Sequence, residues 1–356
     1  MLATLALLQQ KRGTLDASFL ASGVSHLPVN EQRKRFCTRL ASAASTLFAD
    51  PGFNLPNECF RLFLTLHEWI GLVFSCTALG NADHVARHLN PRGVENDEFL
   101  PGESFIEKLC VLYSTESELE LHITKLWAYN KTFAASLALV LLAPVFKRSA
   151  SAHVRRETLI EWLPGKLQLI DDLDDLSTAL LHNAYMFCSY ADTPRCHEIK
   201  RDINALVRRK LNQLGFTDLV VKKPAAGKGH SRRGKKPLML VVLEWFSGTH
   251  SIYRTHSRTL EAAREHFEVV AFGFGYATDK TGRAVFDRFI ELDKSDYVGE
   301  SLKAIRDFAE AEKPDVLYMP SVGMFVFSVF MSNLRIAPLQ IAGLGHPATT
   351  HSDKID

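Results

Sequence analysis

From Asn30 to about Val220 the apolar residues recur at helical spacing. The stretch NEQRKRFCTRLASAASTLFADPG places Phe36, Leu40, Ala44, Leu47 and Phe48 on one helix face. Asn30 stands where it can cap that helix, and Asp50-Pro51-Gly52 supplies the stop. NECFRLFLTLHEWIGLVFSC, from Asn57, is apolar on most sides and predicts one largely buried helix. Further helical patterns cover Glu118–Leu126, Lys131–Leu142, Glu157–Leu163, Ser177–Tyr190 and His197–Leu214. No repeat of fixed period runs through them, so a regular helical solenoid is not expected.

After Pro237 the period changes. Leu238–Glu244, Glu268–Phe274, Phe286–Leu292, Asp315–Pro320 and Pro338–Leu344 are short, rich in β-formers and continuously apolar. Helical runs such as RTLEAAREHF and YVGESLKAIRDFAEAEK separate most of them. That alternation predicts a parallel sheet covered on both faces. The expected class is therefore α + α/β, with an all-α domain over residues 1–220 and a sheet domain over 238–356. Between them VKKPAAGKGHSRRGKKP (221–237) holds seven Lys or Arg and no acid, and reads as a solvated linker. No aromatics are interleaved there to stack on bases, so nucleic acid is not the expected partner.

Composition adds limits. Hydrophobic residues make up 46% and charged residues 23%, ordinary values for a folded chain, and 356 residues suit two domains. The net charge of +2 points to neither nucleic acid nor a membrane surface. None of the six cysteines forms a C-x-x-C pair, and each sits in an apolar or helical context; reduced core thiols are expected. MLATLALLQQKRG carries its positive charges after its apolar run, unlike a secretory signal. FAASLALVLLAPVF, the longest apolar run, is shorter than the ~20 residues of a membrane span. A soluble, cytoplasmic protein is the expectation.

In parallel sheets ligands bind outside the carboxyl ends of the strands. Two polar stretches fall there: EWFSGTHSIYRTHS (Glu244–Ser257) and GLGHPATTHSD (Gly343–Asp353). The first offers a neutral imidazole able to take a proton at His250, a fixed cation at Arg254 and hydroxyl donors at Ser251, Tyr253 and Thr255, with a helix expected to open near Thr255. DDLDD (Asp171–Asp175) has no second acidic cluster to complete a metal site and reads as a helix start. GFGY follows the second predicted strand and lacks a third glycine, and GKGH does not open a helix, so neither nicotinamide nor P-loop binding is expected.

HSIYRTHS, AAREHF, YMPSVGM, SNLRIAPLQ and LGHPATTHSD resemble the bacterial cytoplasmic N-glycosyltransferases that modify high-molecular-weight adhesins, in glycosyltransferase family 41 beside O-GlcNAc transferase. RFCTRLASAASTLFADP, NADHV and YMFCSY resemble that family's all-α domain. The resemblance implies inverting transfer of glucose or galactose from a UDP-sugar to asparagine in N-x-Ser/Thr sequences of an adhesin-like polypeptide. It implies a GT-B fold, of which the sheet domain is one Rossmann-like half, and no metal requirement. Carried over by motif, His250 is the catalytic histidine, Arg254 its partner, and His182 a histidine reaching the cleft. Gly345, His346, Thr349 and Thr350 line the donor sugar. Asn183 and Phe187 depart from the pattern, which has an acid and a histidine there. The resemblance covers a little over half of a family member, so the second, nucleotide-binding domain is expected outside this chain. The alternative is a degenerate protein that docks an adhesin or a partner enzyme without transferring sugar.

Overall fold

The structure is a computed structural model that describes residues 26–90, 106–144, 147–176, 178–221, 236–293, 298–343 and 349–356. The N-terminal apolar run, nearly all of the basic segment, Gly345 and His346 lie outside the described residues. By contact density the chain divides into two compact units, Met1–Trp162 with Asp174–Leu180, and Leu163–Leu173 with Leu181–Asp356.

The first unit is helical, and its elements in chain order are α1 (Val29–Ala49), α2 (Asn57–Thr65), α3 (His67–Ser75), α4 (Asp83–Leu89), α5 (Ile106–Leu112), α6 (Ile123–Tyr129), α7 (Lys131–Leu142) and α8 (Ala150–Trp162). α1 buries Leu40, Ala41, Ala44 and Phe48 but leaves Leu47 exposed. Its N-cap is Pro28, with no side-chain cap, so Asn30 lies inside the helix and does not cap it. The run expected as one helix from Asn57 breaks at Leu66, whose φ of −98° and ψ of 3° leave the helical region. α7 is buried from Ala134 to Leu142, a central helix apolar on all sides. Among the described residues no helix is long and apolar enough to cross a membrane.

The second unit holds most of α9 (Thr178–Phe187), then α10 (Ile199–Gln213) and the sheet. The strands are β1 (Leu238–Val242), β2 (Glu268–Phe274), β3 (Arg288–Leu292), β4 (Val316–Met319) and β5 (Leu339–Ala342), and the helices between them α11 (Ser251–Ala263), α12 (Lys280–Arg283), α13 (Gly299–Glu312) and α14 (Val326–Met331). Every pairing is parallel, in the order β3-β2-β1-β4-β5. All five segments predicted as strands form this one Rossmann-like sheet. α11 lays Ile252 and Leu260 against a core of Val241, Leu243, Phe246, Val269 and Ala271. α13 buries Leu302, Ile305 and Ala309, one turn apart, and ends at Lys313 in the left-handed region.

Secondary structure changes across the basic segment, but the compact division falls earlier in the chain. Within the second unit a set of hydrogen bonds ties α10 to the segment after β5. From α10 the Lys200 ammonium donates to Thr349 O at 2.8 Å and the Asn204 amide to Thr350 O at 2.9 Å. The Asn333 amide in turn donates to Asn204 Oδ1 at 2.9 Å. Within Asp171–Asp175 only Leu173–Asp175 forms a short 3-10 helix, and Asp172 pairs with Lys210 of α10 at 3.7 Å. All six cysteines are free thiols, but only Cys110, Cys188 and Cys196 are core residues; Cys76 is exposed at the end of α3.

Candidate functional site

The sheet order makes the chain step outward from β1 in both directions, so β1 and β4 flank the point where the connections reverse. In such sheets that is where the loops part and ligands bind. The loops after β1 and β4, with the loop after β2 and the residues from Thr349 on, define the candidate site.

The loop after β1 is tied down on the side of β2. The Gly248 amide donates to Asp279 Oδ2 at 3.0 Å, and Asp279 Oδ1 caps the start of α12 by accepting from the Gly282 amide at 2.8 Å. Those two bonds hold the Asp279 carboxyl below the usual range. A Cβ on Gly282 would lie 1.9 Å from Phe246 O, so only glycine allows this approach.

The structure corrects the helix start after β1. α11 opens at Ser251, not near Thr255, and His250 is its N-cap. The His250 Nδ1 accepts the Ile252 amide at 3.3 Å. Burial first, and the Arg254 charge second, push the His250 pKa down, which keeps the ring neutral at pH 7. Its face stacks on Trp245, with centroids 6.3 Å apart and planes inclined by 29°. Trp245 also meets Tyr276 edge-on at 5.8 Å and Phe325 at 5.4 Å. Arg254 is exposed, and its Nη1 donates back to Thr249 O at 2.6 Å, closing the same loop. His256, expected in the first helical turn, lies in the second; its Nδ1 sits 2.9 Å from the Tyr318 hydroxyl of β4.

His182 lies half-buried on α9. Three residues on, the buried Tyr185 donates its hydroxyl to Thr350 O at 3.0 Å. The carbonyls of Thr349 and Thr350 are thus fixed by Lys200, Asn204 and Tyr185. His250 and Arg254 meet at the start of α11, while His182 and Thr350 are joined through α9. Phe187 packs on Tyr190 with centroids 6.2 Å apart.

Four participants were not singled out from the sequence. Glu244 is a lone acid closing an apolar strand, and Asp279 leads a turn with glycine three residues on. Lys200 and Asn204 are spaced by four on the apolar face of α10, among Ile199, Ile203 and Val207. A charge on a buried stripe was the available signal.

Fold and site define a Rossmann-type sheet protein whose described loops after β1, β2 and β4 lie at the carboxyl ends of the strands. Residues 6–119 match the family model described as HMW1C N-terminal, and residues 124–211 that of HMW1 domain 2. Proteins named UDP-glucose:protein N-beta-glucosyltransferase from Actinobacillus pleuropneumoniae serotypes 5b and 7 are each 37% identical over 326 residues, which is 90% of this chain and 51% of theirs. A solved O-GlcNAc transferase variant from Thermobaculum terrenum aligns with 97% of this chain and 54% of its own at 15% identity and a TM-score of 0.41; a likeness of that size carries no argument. The two family models together span more than half of the 356 residues, and the chain belongs to the HMW1C-type glycosyltransferase family. It spans about half the length of the relatives it matches.

Proposed function

We propose that this chain is part of an inverting, UDP-hexose-dependent protein N-glycosyltransferase that modifies asparagine in N-x-Ser/Thr sequences of adhesin-like proteins. The observation that carries this reading is the 37% identity over 90% of the chain to proteins named UDP-glucose:protein N-beta-glucosyltransferase. The geometry at His250 supports it.

Transfer forms a bond from the asparagine nitrogen to the anomeric carbon and breaks the bond from that carbon to the diphosphate. The nitrogen's proton is released to water, and UDP departs with the electron pair of the broken bond and the negative charge. A neutral imidazole that accepts at Nδ1 carries its proton on Nε2. His250 is therefore read as a hydrogen-bond donor to an oxygen that gains charge, and not as the base that takes the amide proton. Arg254 adds a full positive charge four residues on, and the first turn of α11 adds a partial one. In this reading those donors stabilise the leaving diphosphate without a metal, with UDP-glucose or UDP-galactose as donor. His182 acts from α9, and Gly345, His346, Thr349 and Thr350 act from the segment after β5, beside the sugar.

The test is a chimera in which this chain is followed by the remaining half of the A. pleuropneumoniae sequence. Incubated with UDP-glucose and a peptide containing one N-x-Thr sequence, it is expected to add one hexose at asparagine, read by mass spectrometry. Binding of the peptide without any transfer, with either UDP-hexose, would replace this reading with that of a docking protein.

A further inference from the structure

At the end of β1 stands a carboxylate that the chemistry above does not use. Glu244 is 1% exposed. Its Oε1 accepts from the Gly323 amide at 3.0 Å, the Phe325 amide at 2.7 Å and the Ser328 hydroxyl at 2.5 Å. All three donors belong to the turn after β4 and the start of α14. Burial raises the Glu244 pKa, against the Ser321 and Ser328 hydroxyls and the Phe325 and Gly323 amides, which lower it.

Between β1 and β4 a doubly wound sheet ordinarily leaves a crevice for a ligand. Here the protein's own carboxylate takes the donors of that crevice. The turn it holds is demanding: Gly323 has φ of +117°, and a Cβ there would meet Tyr185 Cδ1 at 3.0 Å. Burying an acid for such a turn costs free energy, so the turn must matter to what it carries. What it carries is Phe325, whose ring packs on Trp245 at 5.4 Å, and Trp245 is the surface on which His250 stacks.

We infer that Glu244 is a positioning residue for this site: by binding the turn after β4 to the end of β1, its carboxylate fixes the Phe325–Trp245 wall and through it the His250 ring. This deepens the reading above and rests on its choice of His250. The charged group acting on that ring is Arg254, on its own helix, and a change at residue 244 leaves it in place.

The test follows the NMR titration of the His250 ring in the chain as it stands, without requiring transfer. In the parent chain His250 is expected to titrate below the usual imidazole value. Glu244→Gln keeps an acceptor for both amides and should leave that titration in place. Glu244→Leu removes the acceptor, frees the wall and should move the His250 pKa up toward its ordinary value. A folded Glu244→Leu chain whose His250 titrates as in the parent would overturn the inference, as would a Gln variant that shifts as far as the Leu variant. Should Glu244→Leu not fold, Ser328→Ala removes one donor alone; a smaller upward shift supports the inference and an unchanged titration sinks it. Failure of the chimera to transfer hexose while the His250 titrations behave as stated would fault the proposed function and leave this inference standing.

Discussion

The Nδ1 of His250 accepts the backbone N–H of Ile252 at 3.3 Å, so one side chain both caps α11 and has its tautomer set by the cap. The two roles can be separated. Asparagine is as good an N-cap, but its shorter side chain carries no N–H at the position of Nε2. His250→Asn is expected to keep the thermal midpoint of the chain while lowering hexose transfer in the chimera by ~10²–10³-fold, the usual effect of losing one such donor. His250→Ala should lose that activity and also ~1 kcal/mol of stability with the cap. His256→Ala should cost less transfer, because that ring is engaged with Tyr318. Near-parental transfer by His250→Asn would remove His250 from the chemistry.

Gly282, in the short helix α12, packs directly on the backbone of the loop that carries His250. A methyl group there would lie 1.9 Å from Phe246 O, and backbone must move to admit it. Gly282→Ala is expected to destabilise the sheet unit by ~1–3 kcal/mol, the usual cost of overpacking. Urea unfolding followed by tryptophan fluorescence in a chain that keeps Trp245 as its one tryptophan reads this. A variant as stable as the parent would show that the two loops are not rigidly joined.

Lys200 is fully buried, donates to Thr349 O at 2.8 Å and lies over the Tyr185 ring at 4.8 Å. Burial depresses its pKa. The unfolded chain therefore binds that proton more tightly, and stability rises with pH from the folded pKa up to the ordinary lysine value. Lys200→Met removes this rise and leaves Thr349 O without its donor, a loss of ~1–3 kcal/mol. The variant should fall furthest below the parent near pH 10, with the gap narrowing toward pH 7, where the parent bears the cost of a buried charge. Parallel unfolding curves at both pH values would contradict it.

The helical unit carries its own acid-sensitive group. His67 Nε2 donates to Tyr113 O at 2.7 Å, a buried bond that suits the neutral ring. Burial pushes the His67 pKa down to about 4. The unfolded chain takes up that proton near pH 6.5. Stability from His67 is thus whole above pH 6.5 and lost as pH falls through 4, up to ~3 kcal/mol. His67→Gln keeps a donor for Tyr113 O and cannot be protonated. Its stability relative to the parent should rise between pH 7 and 4.5; an unchanged difference would remove His67 as a cause of acid sensitivity.

The strands, their parallel sense and the placing of His250 and Arg254 at a strand end were legible in the sequence, because continuous apolar runs separated by helices are local patterns. Membership of the family was legible for the same reason, in unbroken motifs such as HSIYRTHS. The start of α11 was misplaced by a turn, since capping by histidine leaves no common signature. Leu66 interrupts what periodicity makes one helix, and Asn30 is a capping residue type inside a helix. Only the tertiary structure could bring Glu244 to Gly323, 79 positions away, or Lys200 to Thr349, 149 away. Residue spacing constrains neighbours within a few turns. Which buried donor meets which distant acceptor depends on strand order and register, and these exist only once β1 lies between β2 and β4.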